Sequence, residues 1–271
     1  MKFLSSVMAP ARALRVRLQE ARYKRTRCPK SCAEQNSVGA IFSANCHLND
    51  VYRQFYHYYC CHCPDFITAH REYFKQNRRG FGEDAFHAFW WLLLSEYRPT
   101  TALEIGVYRG QVLSLWALIA KRLGMAMEVH GVSPFKAIGD SVSTYSDNGD
   151  YMDEVRRAVN EFGGIEPVLV RALSTDANGM AHIRGRTWDL IYIDGNHDFD
   201  VVLSDYRVSR DSLRPGGLLV MDDASLGGEF RPPLFAFAGH PGPSQVAREY
   251  ASRELRCLGS VGHLNVFQKS E

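Results

Sequence analysis

The sequence predicts an α/β protein with a doubly wound sheet of seven strands, an antiparallel C-terminal hairpin and a helical N-terminal extension. From residue 82 onward, short apolar runs alternate with helical patterns, which is typical of right-handed crossovers and a parallel sheet. The apolar runs are nearly continuous, which indicates strands that are covered on both faces. The last two runs are joined so tightly at Gly262 that only an antiparallel hairpin can connect them.

Glycine and proline residues set the limits of the predicted elements. Pro99 ends the first predicted helix, and Gly163 with Gly164 ends the third. Pro215 and Gly216 turn the chain into the fifth strand, which is apolar until its two closing acids. The predicted helices are 84–97, 110–123, 150–162, 176–183 and 198–213. The predicted strands are 101–106, 126–132, 167–173, 188–194, 217–223, 254–261 and 263–268.

Length and charge limit the class of protein. The chain has 271 residues and a formal net charge of +2, which suits one large domain, 81–271, behind an extension, 1–80. The near balance of charge argues against nucleic acid as a partner of the whole chain. No apolar run reaches the roughly 20 residues that span a bilayer, and the start of the chain is too interrupted for a signal peptide. We therefore expect a cytoplasmic protein with reduced thiols.

The extension is basic and rich in cysteine and tyrosine. Residues 1–31 contain nine Lys or Arg against one acid, Glu20. The segment 9–27 predicts either a solvated helix or arm, or an amphipathic helix in weak contact with an anionic membrane surface. Six of the seven cysteines precede residue 64, and their spacing favours free thiols over a zinc site. The tyrosines of 52–59 would dock this region on the main domain or on a second subunit, so a homo-oligomer remains an option.

The turn after the first strand has the features of a cofactor loop. Gly106 permits a tight turn with close approach of a ligand, and Gly110 lets the next helix begin against the strand. Ligands of doubly wound sheets bind beyond such strand ends. The carboxylate of Glu104 is placed to meet the amino group of a methionine moiety, and Tyr108 and Arg109 lie between the glycines. The alternative is a simple strand-to-helix turn.

A nicotinamide cofactor is the main competitor for this loop. The fingerprint of NAD-binding proteins has three glycines and an acid at the end of the second strand. Here Tyr108 occupies the middle glycine position and Ser133 follows the second strand, so both positions count against NAD. Ser133 also stands where an acid commonly holds the ribose hydroxyls.

Acids close the fourth and fifth predicted strands. Asp194 ends one, and Asp222 with Asp223 ends the other. Neighbouring parallel strands lie about 4.8 Å apart, so these carboxylates would crowd one edge of the sheet, where like charges repel. A divalent cation with oxygen ligands, such as Mg²⁺, would relieve the repulsion. The alternative is that the acids cap the next helices or bind backbone amides.

His197 follows Asp194 by three residues in the segment DGNHDF. An imidazole beside this strand end is well placed for a general base, because its unperturbed pKa lies near neutrality. A single histidine more often has a structural role, but its adjacency to the acids favours a catalytic one.

The main domain resembles a known family. The segments LEIGVYRG, WDLIYIDGNHDFDVVLSDY and LRPGGLLVMDD are similar to the metal-dependent O-methyltransferases of natural-product sugars, the macrocin and mycinamicin type, which are class I enzymes with a Rossmann-like sheet. Methyltransferase-like proteins of cephalosporin biosynthesis share the pattern. The resemblance covers about residues 82–270 and leaves the extension outside.

The resemblance implies cofactors and roles. S-adenosyl-L-methionine would lie against the glycine loop and Asp194, and Ser174 would touch its adenine, as the serine after the third strand does in related catechol-type enzymes. Asp194, Asp222 and Asp223 would hold Mg²⁺, with His197 as the base beside Asp194.

We therefore expect a Mg²⁺-dependent O-methyltransferase that acts on a hydroxyl of a sugar-bearing or polyhydroxylated small molecule. The alternatives are a metabolite-binding protein that keeps the fold without catalysis, and an NAD-dependent oxidoreductase. The glycine- and proline-rich loop 224–245 is predicted to be either a lid or a rigid packed loop. Candidate residues of the acceptor pocket on it are Phe230, Arg231, Phe235, Phe237 and His240.

Overall fold

A computed structural model describes residues 2–25, 37–45, 47–76, 79–144 and 149–271, with side chains excluded for 2–11 and 25. The strands are β1 (Thr101–Ile105), β2 (Glu128–Ser133), β3 (Val168–Arg171), β4 (Trp188–Ile193), β5 (Leu213–Met221), β6 (Arg256–Val261) and β7 (Leu264–Gln268). They form one sheet in the order β3-β2-β1-β4-β5-β7-β6.

The sheet confirms the predicted fold class. Strands β1 to β5 pair in parallel, and β7 pairs antiparallel with both β5 and β6. The strand order reverses between β1 and β4, and ligands of doubly wound sheets bind outside the strand ends at such a switch point. The predicted seven strands and the closing hairpin are therefore both present.

Five of the seven strand starts differ from the prediction, and two of these shifts, in β5 and β6, have a clear structural cause. β5 begins at Leu213, which pairs with Trp188, so the Pro215–Gly216 turn lies inside the strand at a register shift. β6 begins two residues late, at Arg256, because helical backbone continues to Glu254. Neither shift moves the carboxyl ends of the parallel strands.

Helices surround the sheet and precede it. In the extension they are α1 (Lys2–Arg25), α2 (Val38–Ala44), α3 (Leu48–His62) and α4 (Asp65–Lys75). In the main domain they are α5 (Asp84–Tyr97), α6 (Gln111–Arg122), α7 (Tyr151–Phe162), α8 (Ala177–Arg184), α9 (Phe199–Ser212), α10 (Pro241–Val246) and, after a π-helical turn, α11 (Ser252–Glu254). None of the helices in the described ranges is long and apolar enough to cross a bilayer.

The core has two layers because side chains alternate along each strand. Leu190 and Tyr192 of β4 point to the face that α2 to α7 cover, whereas Ile191 and Ile193 point to the face that α8 and α9 cover. The extension packs on the first face, where Phe55 lies against Phe89 of α5 with ring centroids 5.9 Å apart. Its helices thus share one hydrophobic core with the sheet.

The cysteines of the extension fall in two groups. Cys60, Cys61 and Cys63 are free thiols near the end of α3. Cys28, Cys32 and Cys46 lie outside the described residues.

Candidate active site

Strand alternation brings the predicted acids to one face of the sheet. Ile105, Ile193 and Met221 point to the α8 and α9 side, so the residues next to them in the strands, Glu104 and Asp222, point to the opposite side, which the extension covers. Asp194 follows Ile193 and therefore points to the same side as Glu104 and Asp222. All three acids line one cavity at the carboxyl ends of β1, β4 and β5.

Asp194 and Asp222 are in direct contact. Their side chains are hydrogen-bonded, and burial next to Asp222 raises the pKa of Asp194 well above its usual range. Burial opposes ionisation of Asp222 as well, but His263, Asp194 and Tyr192 hold its pKa below the usual range. The hydroxyl of Tyr192 donates to Asp222 Oδ2 at 2.7 Å. Of the two carboxyl groups, Asp194 is therefore the harder to ionise.

Asp223 lies beside three histidines. Its φ of 52° places it in the left-handed region, and its Oδ2 lies 3.0 Å from His197 Nε2 and 3.9 Å from His240 Nε2. His263 Nε2 lies 3.2 Å from Asp222 Oδ1 and 3.8 Å from Asp223 Oδ1. Burial opposes protonation of His263, but Asp222, Glu83 and Asp223 raise its pKa to about 10.

His197 is held between two carboxylates. Its Nδ1 lies 2.6 Å from Asp140 Oδ2, and its backbone N–H donates to the same oxygen at 3.0 Å. Its Nε2 faces Asp223. Burial opposes protonation, but Asp223 and Asp140 raise the pKa of His197. Asp140 thereby fixes the ring and directs Nε2 toward the acids.

The glycine loop fits closely against the end of β4. Gly106 has a φ of +95°, and a Cβ there would lie 2.2 Å from the carbonyl oxygen of Asp194. Gly110 has a φ of +83° and abuts Val155. Burial raises the pKa of Glu104 well above its usual range, and its Oε2 has no hydrogen-bond partner among the described residues. An ammonium group of a ligand would satisfy this oxygen.

The remaining predicted cofactor residues divide into two groups. Tyr108 and Arg109 line the cavity, and the Tyr108 ring stacks on Phe81 with centroids 5.4 Å apart. Gly110, Ser133 and Ser174 do not line it. Ser133 instead donates to the carbonyl of Val107 at 2.8 Å, and Ser174 is hydrogen-bonded to Asp205. Ser133 thus braces the glycine loop in the described conformation.

Three polar residues of this site escaped the sequence reasoning. Asp140 lies in the segment after β2, His263 lies at the turn of the hairpin, and Glu83 precedes α5. Glu83 Oε2 accepts from the Tyr52 hydroxyl at 2.6 Å. None of the three lies in a motif. The one sequence feature that could have identified any of them is the position of His263 immediately after Gly262, in the hairpin next to the strand that Asp222 and Asp223 follow.

The cavity extends from the strand ends to the extension and has a volume of about 850 Å³. Phe235, Phe237 and His240 of the predicted lid line it. Phe230 is instead buried against Tyr52, with ring centroids 5.4 Å apart. The helices of the extension contribute Glu20, Tyr52, Tyr56, Arg71 and Lys75 to its walls.

The extension holds the predicted lid by several hydrogen bonds. Asn49 Nδ2 donates to the carbonyl of Arg231 at 2.5 Å, and Arg231 N–H donates back to Asn49 Oδ1 at 3.0 Å. Leu234 N–H donates to Gln19 Oε1 at 2.6 Å. From the main domain, Glu83 Oε1 accepts from the N–H of Phe237 at 3.1 Å. Loop 224–245 and the extension therefore contact each other where both line the cavity.

Two overlapping groups of carboxylate and imidazole donors fit a divalent cation. Ligand atoms of Asp222, Asp223 and His263 lie within 4.8 Å of one another, as do those of Asp223, His197 and His240. Carboxylates and imidazoles are common ligands of divalent ions. The direct contact between the carboxyl groups of Asp194 and Asp222 marks a place where a cation would relieve repulsion between carboxylates.

Comparison with known proteins agrees with this geometry. Residues 103–224 match the model of a family described as a methyltransferase domain. No curated protein matches the chain by sequence. The match covers 122 of the 271 residues, and together with the sheet order it indicates a methyltransferase that uses S-adenosylmethionine and is similar to class I enzymes. Both observations favour this interpretation over the NAD-dependent oxidoreductase considered above.

Several solved methyltransferases share the fold. The S-adenosylhomocysteine-bound Podospora anserina methyltransferase PaMTH1 has a TM-score of 0.53 at 15% identity, over 77% of this chain and 89% of its own. A putative caffeoyl-CoA O-methyltransferase from Staphylococcus aureus has a TM-score of 0.51 at 13% identity, over 75% and 92%. The calicheamicin methyltransferase CalS11 has a TM-score of 0.51 at 15% identity, over 76% and 92%.

Proposed function

We propose that the chain is an O-methyltransferase that uses S-adenosylmethionine and a divalent cation, and that its acceptor is a hydroxyl of a polyhydroxylated or sugar-bearing small molecule. The observation that carries the proposal is the convergence of Asp194, Asp222, Asp223 and His197 in the cavity that also contains Glu104 and Gly106. Two of the similar structures, the putative caffeoyl-CoA O-methyltransferase and CalS11, are methyltransferases by name.

The chain's own residues have separable roles in this chemistry. S-adenosylmethionine, when bound, supplies an electrophilic methyl group, and Mg²⁺ would stabilise a deprotonated hydroxyl. Glu104 would bind the ammonium group of the cofactor through its unpartnered oxygen. Asp194, Asp222 and Asp223 would hold the cation. The cation would in turn hold the acceptor oxygen in line with the methyl group, and this positioning would supply much of the rate acceleration.

Proton removal falls to His197. Its Nε2 is shared with Asp223 at 3.0 Å, which favours the protonated ring. If Asp223 held a cation, Nε2 would lose this acceptor and the pKa of the ring would fall, so the neutral imidazole would accept the proton of the hydroxyl. Asp140 keeps Nδ1 hydrogen-bonded throughout, so the proton is taken at Nε2.

The test combines binding with turnover. Calorimetry should detect binding of S-adenosylhomocysteine, and a radiolabelled methyl transfer assay with catechol as acceptor should show activity with Mg²⁺ that EDTA removes. Asp222→Asn and His197→Ala should each lower turnover at least about 100-fold, in the range typical of lost general-base catalysis, while the exposed control Asp153→Asn should be unchanged. Activity of the wild type in EDTA, or full activity of either variant, would contradict the proposal.

A further inference from the structure

Two cations line the cavity away from the acids of the sheet. Glu104, Asp194, Asp222 and Asp223 line the end formed by the sheet. Arg71 and Lys75 of α4, here called the basic end, line the part formed by the extension, together with Glu20. The proposed chemistry uses only the acidic end, so the basic end needs a separate explanation.

The two cations share one buried carboxylate. Arg71 Nε and Lys75 Nζ each lie 2.9 Å from Asp84 Oδ1, and the Asp84 side chain is only 5% exposed. Lys75 also contacts Glu72 at 2.7 Å, but that acid is 60% exposed, so solvent screens the pair. Arg71 Nη1 has no hydrogen-bond partner among the described residues. Arg71 therefore keeps one buried N–H donor that Asp84 does not satisfy, even though Asp84 and Glu20 line the same part of the cavity.

The basic end lies close to the lid. Asp84 follows Glu83, and neighbouring Cα atoms are about 3.8 Å apart. Glu83 binds both the backbone of Phe237 and the hydroxyl of Tyr52. Aromatic rings form the wall beside this contact, with the Tyr56 and Phe235 centroids 5.5 Å apart. A flat ring bound against this wall would lie in the cavity that Arg71 and the acids both line.

We propose that the acceptor is a hydroxylated ring compound that carries a carboxylate or similar anion, with its hydroxyl at Asp223 and His197 and its anion at Arg71 and Lys75. The inference rests on the proposed function and specifies its substrate class. Charge-assisted hydrogen bonds to such an anion are stronger than neutral ones, so the basic end would select acidic acceptors over neutral ones.

The carboxylate of the cofactor has the same chemistry and could compete for this place. In S-adenosylmethionine the carboxylate and the ammonium group share one carbon atom. Because the ammonium group is assigned to Glu104 at the acidic end, the cofactor carboxylate would lie there too. The experiment below separates the two sources.

The test uses three catechols of different charge. Calorimetry with the full-length chain, S-adenosylhomocysteine and MgCl₂ would compare protocatechuate, which is an anion, with neutral catechol and cationic dopamine. We expect protocatechuate to bind about 10-fold more tightly than catechol, as one charge-assisted hydrogen bond provides, and dopamine to bind most weakly.

Variants assign the effect to α4. Arg71→Met and Lys75→Met should each remove most of the preference for protocatechuate, while catechol and S-adenosylhomocysteine bind within about twofold of the wild type. Lys75→Met leaves the Arg71–Asp84 pair intact and therefore preserves the fold if Arg71→Met does not. The exposed Arg207→Met on α9 is the matched control and should keep the full preference.

Several results of these binding measurements would overturn the inference. Equal binding of protocatechuate and catechol, binding of none of the three, or an unchanged preference in both α4 variants would overturn the inference. A loss of S-adenosylhomocysteine affinity with an unchanged preference would assign the cations to the cofactor carboxylate and would also overturn it. Methyl transfer to catechol without preference for the acid would leave the proposed function standing and refute this inference alone.

Discussion

The fit of Gly106 against the end of β4 is the most direct test of the glycine loop. A Cβ at residue 106 would lie 2.2 Å from the carbonyl oxygen of Asp194 and 2.2 Å from Cα of Gly195. Real Cβ atoms do not approach backbone so closely, so Gly106→Ala must displace either the loop or the end of β4. Gly124→Ala is the matched control, because Gly124 also has positive φ, +58°, but nothing within 4 Å of its Cβ position.

The two substitutions should differ in magnitude. Both place alanine at positive φ, which costs about 1–2 kcal/mol. Gly106→Ala adds an overpacking term of about 1–3 kcal/mol, because the opposing atoms are backbone rather than flexible side chain. We therefore expect the free energy of unfolding to fall by about 2 kcal/mol more for Gly106→Ala than for Gly124→Ala.

Urea denaturation and calorimetry with S-adenosylhomocysteine would measure the two effects. Gly106→Ala should also weaken binding at least 10-fold, because the clash would displace the ends of β1 and β4, which carry Glu104 and Asp194. A 10-fold loss corresponds to about 1.4 kcal/mol. Gly124→Ala should bind like the wild type. Equal destabilisation of the two variants together with unchanged binding by Gly106→Ala would refute the assignment of this loop to the cofactor.

Three further predictions concern charge and the lid. Burial raises the pKa of Glu104 above its unfolded value, so the stability of the ligand-free protein should fall as pH rises from about 4.5 toward the folded pKa. Urea titrations at pH 5 and 8 should show a smaller decline for Glu104→Gln, and an unchanged decline would contradict the assignment of this effect to Glu104. Asp140→Asn should lower kcat about 10-fold or more through the orientation of His197, with unchanged S-adenosylhomocysteine affinity; a normal kcat would exclude this role. Asn49→Ala removes two hydrogen bonds to Arg231 and should raise the KM of the acceptor about threefold to 10-fold while cofactor affinity stays constant, as loss of about 1 kcal/mol implies; an unchanged KM would show that the lid does not depend on this contact.

The sequence was sufficient for the features that depend on local pattern. Alternation of apolar runs and helical patterns predicted the sheet and its hairpin, and the closing position of Asp194 and Asp222 predicted that their side chains would meet. The reason is geometric: parallel strands end at one edge, and side-chain direction has a period of two. These relations hold without knowledge of any distant contact.

The sequence did not predict the contacts that depend on the pairing register of strands or on backbone without regular structure. His263 comes beside Asp222 only because Met221 of β5 pairs with Asn265 of β7, and a sequence does not specify that register. Asp140 reaches His197 across 57 residues from a segment without regular structure. The docking of the extension depends on the shapes of large aromatic side chains, whose composition indicates burial but not a partner.

The two ends of the cavity have different structural origins. Two acids at the sheet end have partners from elsewhere in the chain: Asp222 contacts Tyr192 and His263, and Asp223 contacts His197. The basic end comes from one turn of α4, since Arg71 and Lys75 are four residues apart and share a helix face. A change in α4 can therefore alter the charge presented to the acceptor without disturbing the acids. Under the two proposals above, α4 would recognise the acceptor and the strand ends would carry the chemistry.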